Sequence, residues 1–197
     1  MSRIHPVLIA AAVSLTAMSA TAAFVPAVAA GMTSGMASGN PMVGGAPMYP
    51  TRNIVENAVN SRDHTTLVAA VKAAGLVGTL SSPGPFTVFA PVNAAFHRLP
   101  AGAVANLLKP ENKGALTGVL TYHVVPGKLS AMALREQVRA GGGRATLRTA
   151  QGGALTVTLV GRRLAVTDAK GGRAMISIAD VNQSNGVIHV VDSVLMP

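Results

Sequence analysis

The apolar positions of this chain change period part-way along it, recurring at helical spacing up to about residue 138 and alternating beyond. Residues 53–60 place Ile54, Ala58 and Val59 on one helical face. Asp63 reads as the N-cap of a second helix carrying Leu67, Val68, Val71 and Ala74, which Gly75 stops. Residues 76–80 continue less regularly to the turn cluster Ser81-Ser82-Pro83-Gly84-Pro85. A short helix is predicted over 103–108, and Pro110 suits the start of the next. There Leu116, Val119, Leu120 and His123 form one stripe, and a last short helix covers 130–138 with Ser130 as its cap.

Beyond that point Leu155, Val157 and Leu159 alternate with threonines, Gly161-Arg162 makes a two-residue turn, and Leu164 and Val166 resume the alternation. This is a β-hairpin. Further strands are expected over 145–149, 174–178 and 187–191, the last introduced by Asn185-Gly186, where both residues tolerate positive φ. Helices first and strands later, without βαβ alternation, predict an α+β fold.

Residues 86–96, Phe-Thr-Val-Phe-Ala-Pro-Val-Asn-Ala-Ala-Phe, break the helical half. Phe86 to Ala90 is apolar on both faces, which predicts a strand covered from both sides. Pro91 lacks the amide hydrogen a ladder needs and should end it. Asn93 is placed to cap a following helix that turns Phe96 back into the core.

The first thirty residues have the order of a secretory signal: Arg3, an apolar run from Val7 to Leu15, then small residues. The run is short for a bilayer span, although retention as a membrane anchor is the alternative. Cleavage is expected after Ala30, with Ala22 and Ala29 as other sites. Residues 31–51, rich in Gly, Pro and Met without charge, read as a flexible linker, and the domain is expected over 52–197. Four methionines there, Met32, Met36, Met42 and Met48, are soft Cu(I) ligands, but no His or Cys accompanies them.

The chain has 197 residues and is 49% apolar, enough for one domain with a real core, and it has no cysteine. A thiol nucleophile and disulfides are thereby excluded. Lys and Arg total 16 against 7 Asp and Glu; without Arg3 the mature net charge is +8. Such a surface attracts acidic polysaccharide or anionic lipid. Specific nucleic-acid binding is not expected, since aromatics are 3% and tryptophan is absent.

His123, His189 and Asp192 invite a catalytic reading with Ser184 or Ser193 as nucleophile. On a strand, however, Asp192 points away from His189, and no Gly-x-Ser-x-Gly elbow occurs. The histidines lack His-x-His or His-x3-His spacing, so no metal site or cofactor is expected. Tyr122 and His123 read as the polar lock of a helix-to-strand junction, with a surface recognition patch as the second reading.

Three ordered segments resemble fasciclin-like (FAS1) domains: residues 86–96, Leu120-Thr121-Tyr122-His123-Val124-Val125-Pro126-Gly127, and the closing stretch from Asn185 to Pro197. The resemblance implies a compact β-wedge or sandwich with helices packed around it and the two signature strands together at its centre. It assigns Thr87, Phe89, Ala90, Pro91, Asn93, Phe96, Asn185, Gly186, His189 and Asp192 to the structural signature. Val92 stands where the family usually has threonine, and Asn93 where aspartate is common. The resemblance also marks Tyr122, His123, Asp180 and Val181 as candidate interaction residues. The resulting expectation is a secreted or periplasmic, monomeric, non-enzymatic adhesion or envelope-binding module. The alternatives are an envelope hydrolase using His123 or His189, or a carrier of a small apolar ligand.

Overall fold

The computed structural model describes residues 40–197. The signal, its cleavage sites, Met32 and Met36 lie outside them. The described chain opens with a ribbon of β1 (Met42–Val43) and β2 (Ala46–Pro47), then α1 (Ile54–Ala58), α2 (Thr65–Ala74) and α3 (Val77–Ser81). Next come β3 (Phe86–Pro91), α4 (Asn93–His97), α5 (Ala103–Leu107), α6 (Lys113–Tyr122), β4 (Val124–Pro126) and α7 (Ala131–Ala140). The strands β5 (Arg144–Arg148), β6 (Ala154–Val160), β7 (Arg163–Thr167), β8 (Arg173–Gln183) and β9 (Gly186–Val191) follow. The α+β reading holds, with helices in the first half and strands in the second.

Seven strands form one sheet in the order β4-β3-β9-β8-β7-β6-β5. The two signature strands, β3 and β9, are parallel neighbours, paired from Phe86↔Gly186 to Pro91↔Val191. Both of their faces are covered, as the apolar run requires. Val88, Ala90, Ile188 and Val190 pack into one core with Ile54, Leu67, Val71 and Leu120 of the helices. Phe89 and Val191 join a second core with Leu134 and Val138 of α7 and Leu155, Val157 and Val166 of the outer strands. β8 is long enough to serve both halves: Arg173 to Met175 pair with β7, and Ile176 to Gln183 pair with β9 across two register shifts.

Several boundaries differ from the sequence reading. The folded unit begins inside the expected 31–51 linker, because Val43 and Met48 are buried in the first core and the Met48 amide donates to Pro41 O at 3.0 Å. Of the methionines weighed for copper, Met48 is 2% exposed and Met42 58%, so burial withdraws one of the thioethers from any shared site. Pro91 does end β3, as its last residue, paired with Val191. Asp63 lies in a short 3₁₀ turn and does not cap α2; His64 occupies the N-cap position without a side-chain bond. That orphan end is closed from another element. Asn93 Oδ1 accepts from the Thr66 amide at 3.0 Å and from Thr65 Oγ1, while its amide nitrogen donates to Arg62 O. Asn93 therefore caps α2 and not its own helix, α4, for which Val92 is the N-cap.

Other local readings hold. Gly75 ends α2 in the left-handed region, and Ser130 Oγ accepts from the Ala133 amide at the start of α7. Gly161 has φ +61° with Val160 paired to Arg163, so the predicted two-residue turn closes β6 onto β7.

Candidate functional site

Asn185-Gly186 is not the positive-φ turn expected from its composition; neither residue lies in the left-handed region, and Gly186 is already paired with Gln183. Asn185 is instead a buried junction. Its Oδ1 accepts from the Ile54 amide at 3.1 Å, and its Nδ2 donates to Leu80 O at 2.8 Å and Ser82 O at 3.0 Å. It thus satisfies the start of α1 and the end of α3 from the β8–β9 turn. Gly186 allows the two signature strands to approach, since a Cβ there would stand 2.1 Å from Phe86 O. Nearby, Asn57 brackets Tyr49 through both main-chain groups and donates to Gln183 Oε1.

Among the remaining signature side chains the polar ones also bond the main chain, and the apolar ones pack. Thr87 Oγ1 donates to Gly127 O at 2.6 Å and accepts from the Leu129 amide at 2.9 Å, fixing the loop after β4. Phe89 lies beside His189 with ring centroids 5.8 Å apart. Phe96 is half-buried against the first core with Ala90. Asp192 Oδ1 accepts from the Met175 amide at 2.8 Å, and its Oδ2 lies 3.8 Å from Arg98.

Tyr122 and His123 sit where α6 becomes β4, and both are sealed, at 0% and 2% exposure. The Tyr122 hydroxyl donates to Ala154 O at 2.7 Å and accepts from the Ala169 amide at 3.0 Å. Burial raises its pKa above the ordinary tyrosine value, against the Ala169 amide. His123 donates from Nδ1 to Val119 O at 2.8 Å and accepts at Nε2 from the Leu195 amide at 3.0 Å, a pairing that fixes one neutral tautomer. Burial lowers its pKa to about 4, opposed by the Val119 carbonyl and by Asp168. Asp168 was not legible as a site residue: it closes the turn before β8 through the Lys170 and Gly172 amides and holds the C-terminal segment through the Met196 amide. An aspartate ahead of Gly171-Gly172 is the signal for the first of these roles.

His189 is fixed in the same manner. Its Nε2 donates to Leu129 O at 2.8 Å and its Nδ1 accepts from the Asp180 amide at 3.2 Å. Burial lowers its pKa, against the Leu129 carbonyl and Asp180. Asp180 has φ +58° at a register shift in β8, and its Oδ1 accepts from the Ala131 amide at the start of α7 at 2.7 Å. Of the four candidate interaction residues Asp180 alone is exposed. Val181 is fully buried, and no hydrogen bond joins the Asp180-Val181 pair to Tyr122 or His123.

All four ring nitrogens of His123 and His189 are thus used by the main chain, and neither ring bonds the serine and carboxylate a hydrolase needs. A serine–histidine hydrogen bond does form elsewhere, between Ser61 Oγ and His64 Nδ1 at 2.9 Å, a pair missed in the sequence. Both are buried, and among the described residues no carboxylate bonds the ring. His64 Nε2 is buried without a hydrogen-bond partner, and burial lowers its pKa, against the Ala90 carbonyl and Asp63. The pair borders an apolar cavity of about 50 Å³ between Leu67, Val71, Val88 and Ile188. A cavity of about 150 Å³ is what takes up benzene, so this space admits only a few atoms. No group of three potential metal ligands occurs among the described residues.

The family model for the fasciclin domain matches residues 62–197. The chain belongs to the fasciclin domain family. The fasciclin relatives include protein sll1483 of Synechocystis, 50% identical over 144 residues that cover 73% of each chain. Immunogenic protein MPB70 of Mycobacterium bovis is 39% identical over 71% of this chain and 66% of its own length. Transforming growth factor-beta-induced protein ig-h3 of Sus scrofa is 32% identical over 75% of this chain, which spans 20% of that protein. Among solved structures, a FAS1 domain pair from the insect cell adhesion molecule fasciclin I matches with TM-score 0.54 and 21% identity, over 66% of this chain and 43% of that one. That likeness shows the fold. No helix among the described residues of this fasciclin domain is long and apolar enough to cross a membrane.

Proposed function

We propose that this fasciclin domain is an exported, monomeric, non-enzymatic binding module that attaches to polyanions of the cell envelope or matrix. One observation carries the reading: the cationic side chains are outside and mostly without acidic partners, while Thr87, Asn185 and His189 of the signature are consumed inside. Among the described residues two ion pairs form, Arg98–Asp192 and Lys109–Glu111, in a chain of 16 basic and 7 acidic residues. A relative supports an envelope setting, since it is named the cell surface glycolipoprotein MPB83. The fixed neutral histidines support a non-catalytic role.

Surface charge attracts through solvent and is screened by salt. The protein is therefore expected to be retained on immobilised polygalacturonate at low ionic strength and to elute as salt passes about 0.15 M, where the screening length is about 8 Å. Absence of retention at low salt would remove the reading.

A further inference from the structure

The cations are not spread evenly. Residues 128–173 hold nine Lys and Arg and two Asp and Glu. The strand register shows where they point. The inner face of the outer strands carries the row Ala145, Val157, Val166 and Ala174, which is buried in the second core. The opposite parity faces outward. One row of that parity runs Arg144, Thr158, Ala165, Met175, with Ala165 itself buried beneath its neighbours; the next runs Thr146, Thr156, Thr167, Arg173. Arg148 stands opposite Ala154 beyond the second row, and Arg163 opposite Val160 before the first. Four exposed arginines thus frame a patch of threonines. None of these four guanidinium groups forms an ion pair or a hydrogen bond among the described residues.

We propose that this outer face of β5–β8 is the docking surface for an acidic polysaccharide chain, an inference that rests on the polyanion reading above. Charge complementarity and hydroxyl spacing select that occupant. Arg144 and Arg148 are about 13 Å apart along β5, and Arg173 lies three strands, or about 14 Å, from Thr146. A uronic-acid or sulfated polymer presents ring hydroxyls between regularly spaced carboxylates or sulfates. Guanidinium forks receive those anions in pairs, and threonine hydroxyls donate to and accept from the sugar hydroxyls between them. Surfaces that settle on lipid set Trp, Phe or Leu beside their cations to enter the bilayer. This face has none of them; the apolar side chains it leaves accessible are Ala154, Val160 and Met175. Nor does it offer a ring on which a nucleic-acid base could stack.

The test compares binding of the full chain to polygalacturonate and to phosphatidylglycerol vesicles at low salt, using charge-matched variants. Arg144→Gln with Arg173→Gln removes two cations from the face. Arg62→Gln with Lys113→Gln removes two exposed cations elsewhere. The face pair is expected to lose about tenfold in affinity for polygalacturonate and the control pair under threefold, about. Thr156→Val should weaken polygalacturonate binding without changing its salt slope, because it deletes a hydroxyl and no charge. Equal losses from the two pairs would overturn the assignment to this face while leaving the polyanion reading standing. Wild-type protein that binds neither probe would remove that reading and the docking surface with it. Vesicle binding tighter than polygalacturonate binding, and lost in the face pair, would overturn the polysaccharide as occupant.

Discussion

Lowering the pH from 7 to 4 is expected to destabilise the folded protein by several kcal/mol, with His123 the largest contributor. In the unfolded chain its ring takes a proton near the ordinary value of 6.5; in the fold it does so only at about 4. The folded-state pKa is depressed, so the stabilisation is complete above 6.5 and is lost as pH falls toward 4. Those limits correspond to about 3 kcal/mol for this residue, a large part of a typical domain's 5–15 kcal/mol, roughly. His64 and His189 are shifted in the same direction, chiefly by burial, and add to the loss. The geometry gives the cause a second form. A proton on Nε2 of His123 would face the Leu195 amide, and one on Nδ1 of His189 would face the Asp180 amide, each replacing an acceptor by a donor. Urea unfolding midpoints measured across this range should fall steadily below pH 6.5, and His123→Gln should be less stable at pH 7 but flatter below it. A midpoint constant from pH 6.5 to 4.5 would show that these rings are not held neutral.

The second large effect belongs to Gly186. Its φ is unexceptional; what it lacks is room, because a Cβ would stand 2.1 Å from Phe86 O and 3.0 Å from Phe86 N, both main-chain atoms of the neighbouring signature strand. A side-chain clash could relax by rotation, whereas this one must separate β3 from β9 where they pair in register. Gly186→Ala should therefore lower stability by at least about 3 kcal/mol, or about 6–12 °C in Tm for a domain of this size. Gly114, in α6 with open space around its position, is the control. Its replacement by alanine should be neutral or slightly stabilising, since alanine favours the helix. Equal thermal midpoints for Gly186→Ala and wild type would mean the strands can part freely.

The two cases also show what the amino-acid sequence could disclose. Periodicity located the helices around Leu67–Ala74 and Leu116–Leu120 and the hairpin about Gly161, because each depends on neighbours within one or two turns. The doubly apolar run at Phe86–Ala90 likewise required cover on both faces. Long-range bonds were hidden. Asn93 resembled a cap for the helix beginning beside it, yet it satisfies the start of α2, 27 residues earlier. Asn185 carried the composition of a turn, but its amide group is consumed by Ile54, Leu80 and Ser82 more than 100 residues away. Side-chain chemistry names the bonds a residue can make and not the partner it meets. Tyr122, His123 and Val181 illustrate the same limit, since nothing local announces that they are sealed. The ribbon at Met42–Pro47 was masked by its Gly and Pro content, which is shared by linkers and tight turns.

The most direct test of an architectural role for the signature strands is amide hydrogen exchange of the folded protein at pH 7, read at β3 and β9. The Phe89 amide is bonded to His123 O at 2.9 Å, and the paired strands are covered by a core on each side. Their amides should exchange only through global unfolding, with a protection free energy equal to that from denaturant. Exchange of these amides about a hundredfold or more faster than global unfolding permits would contradict the account.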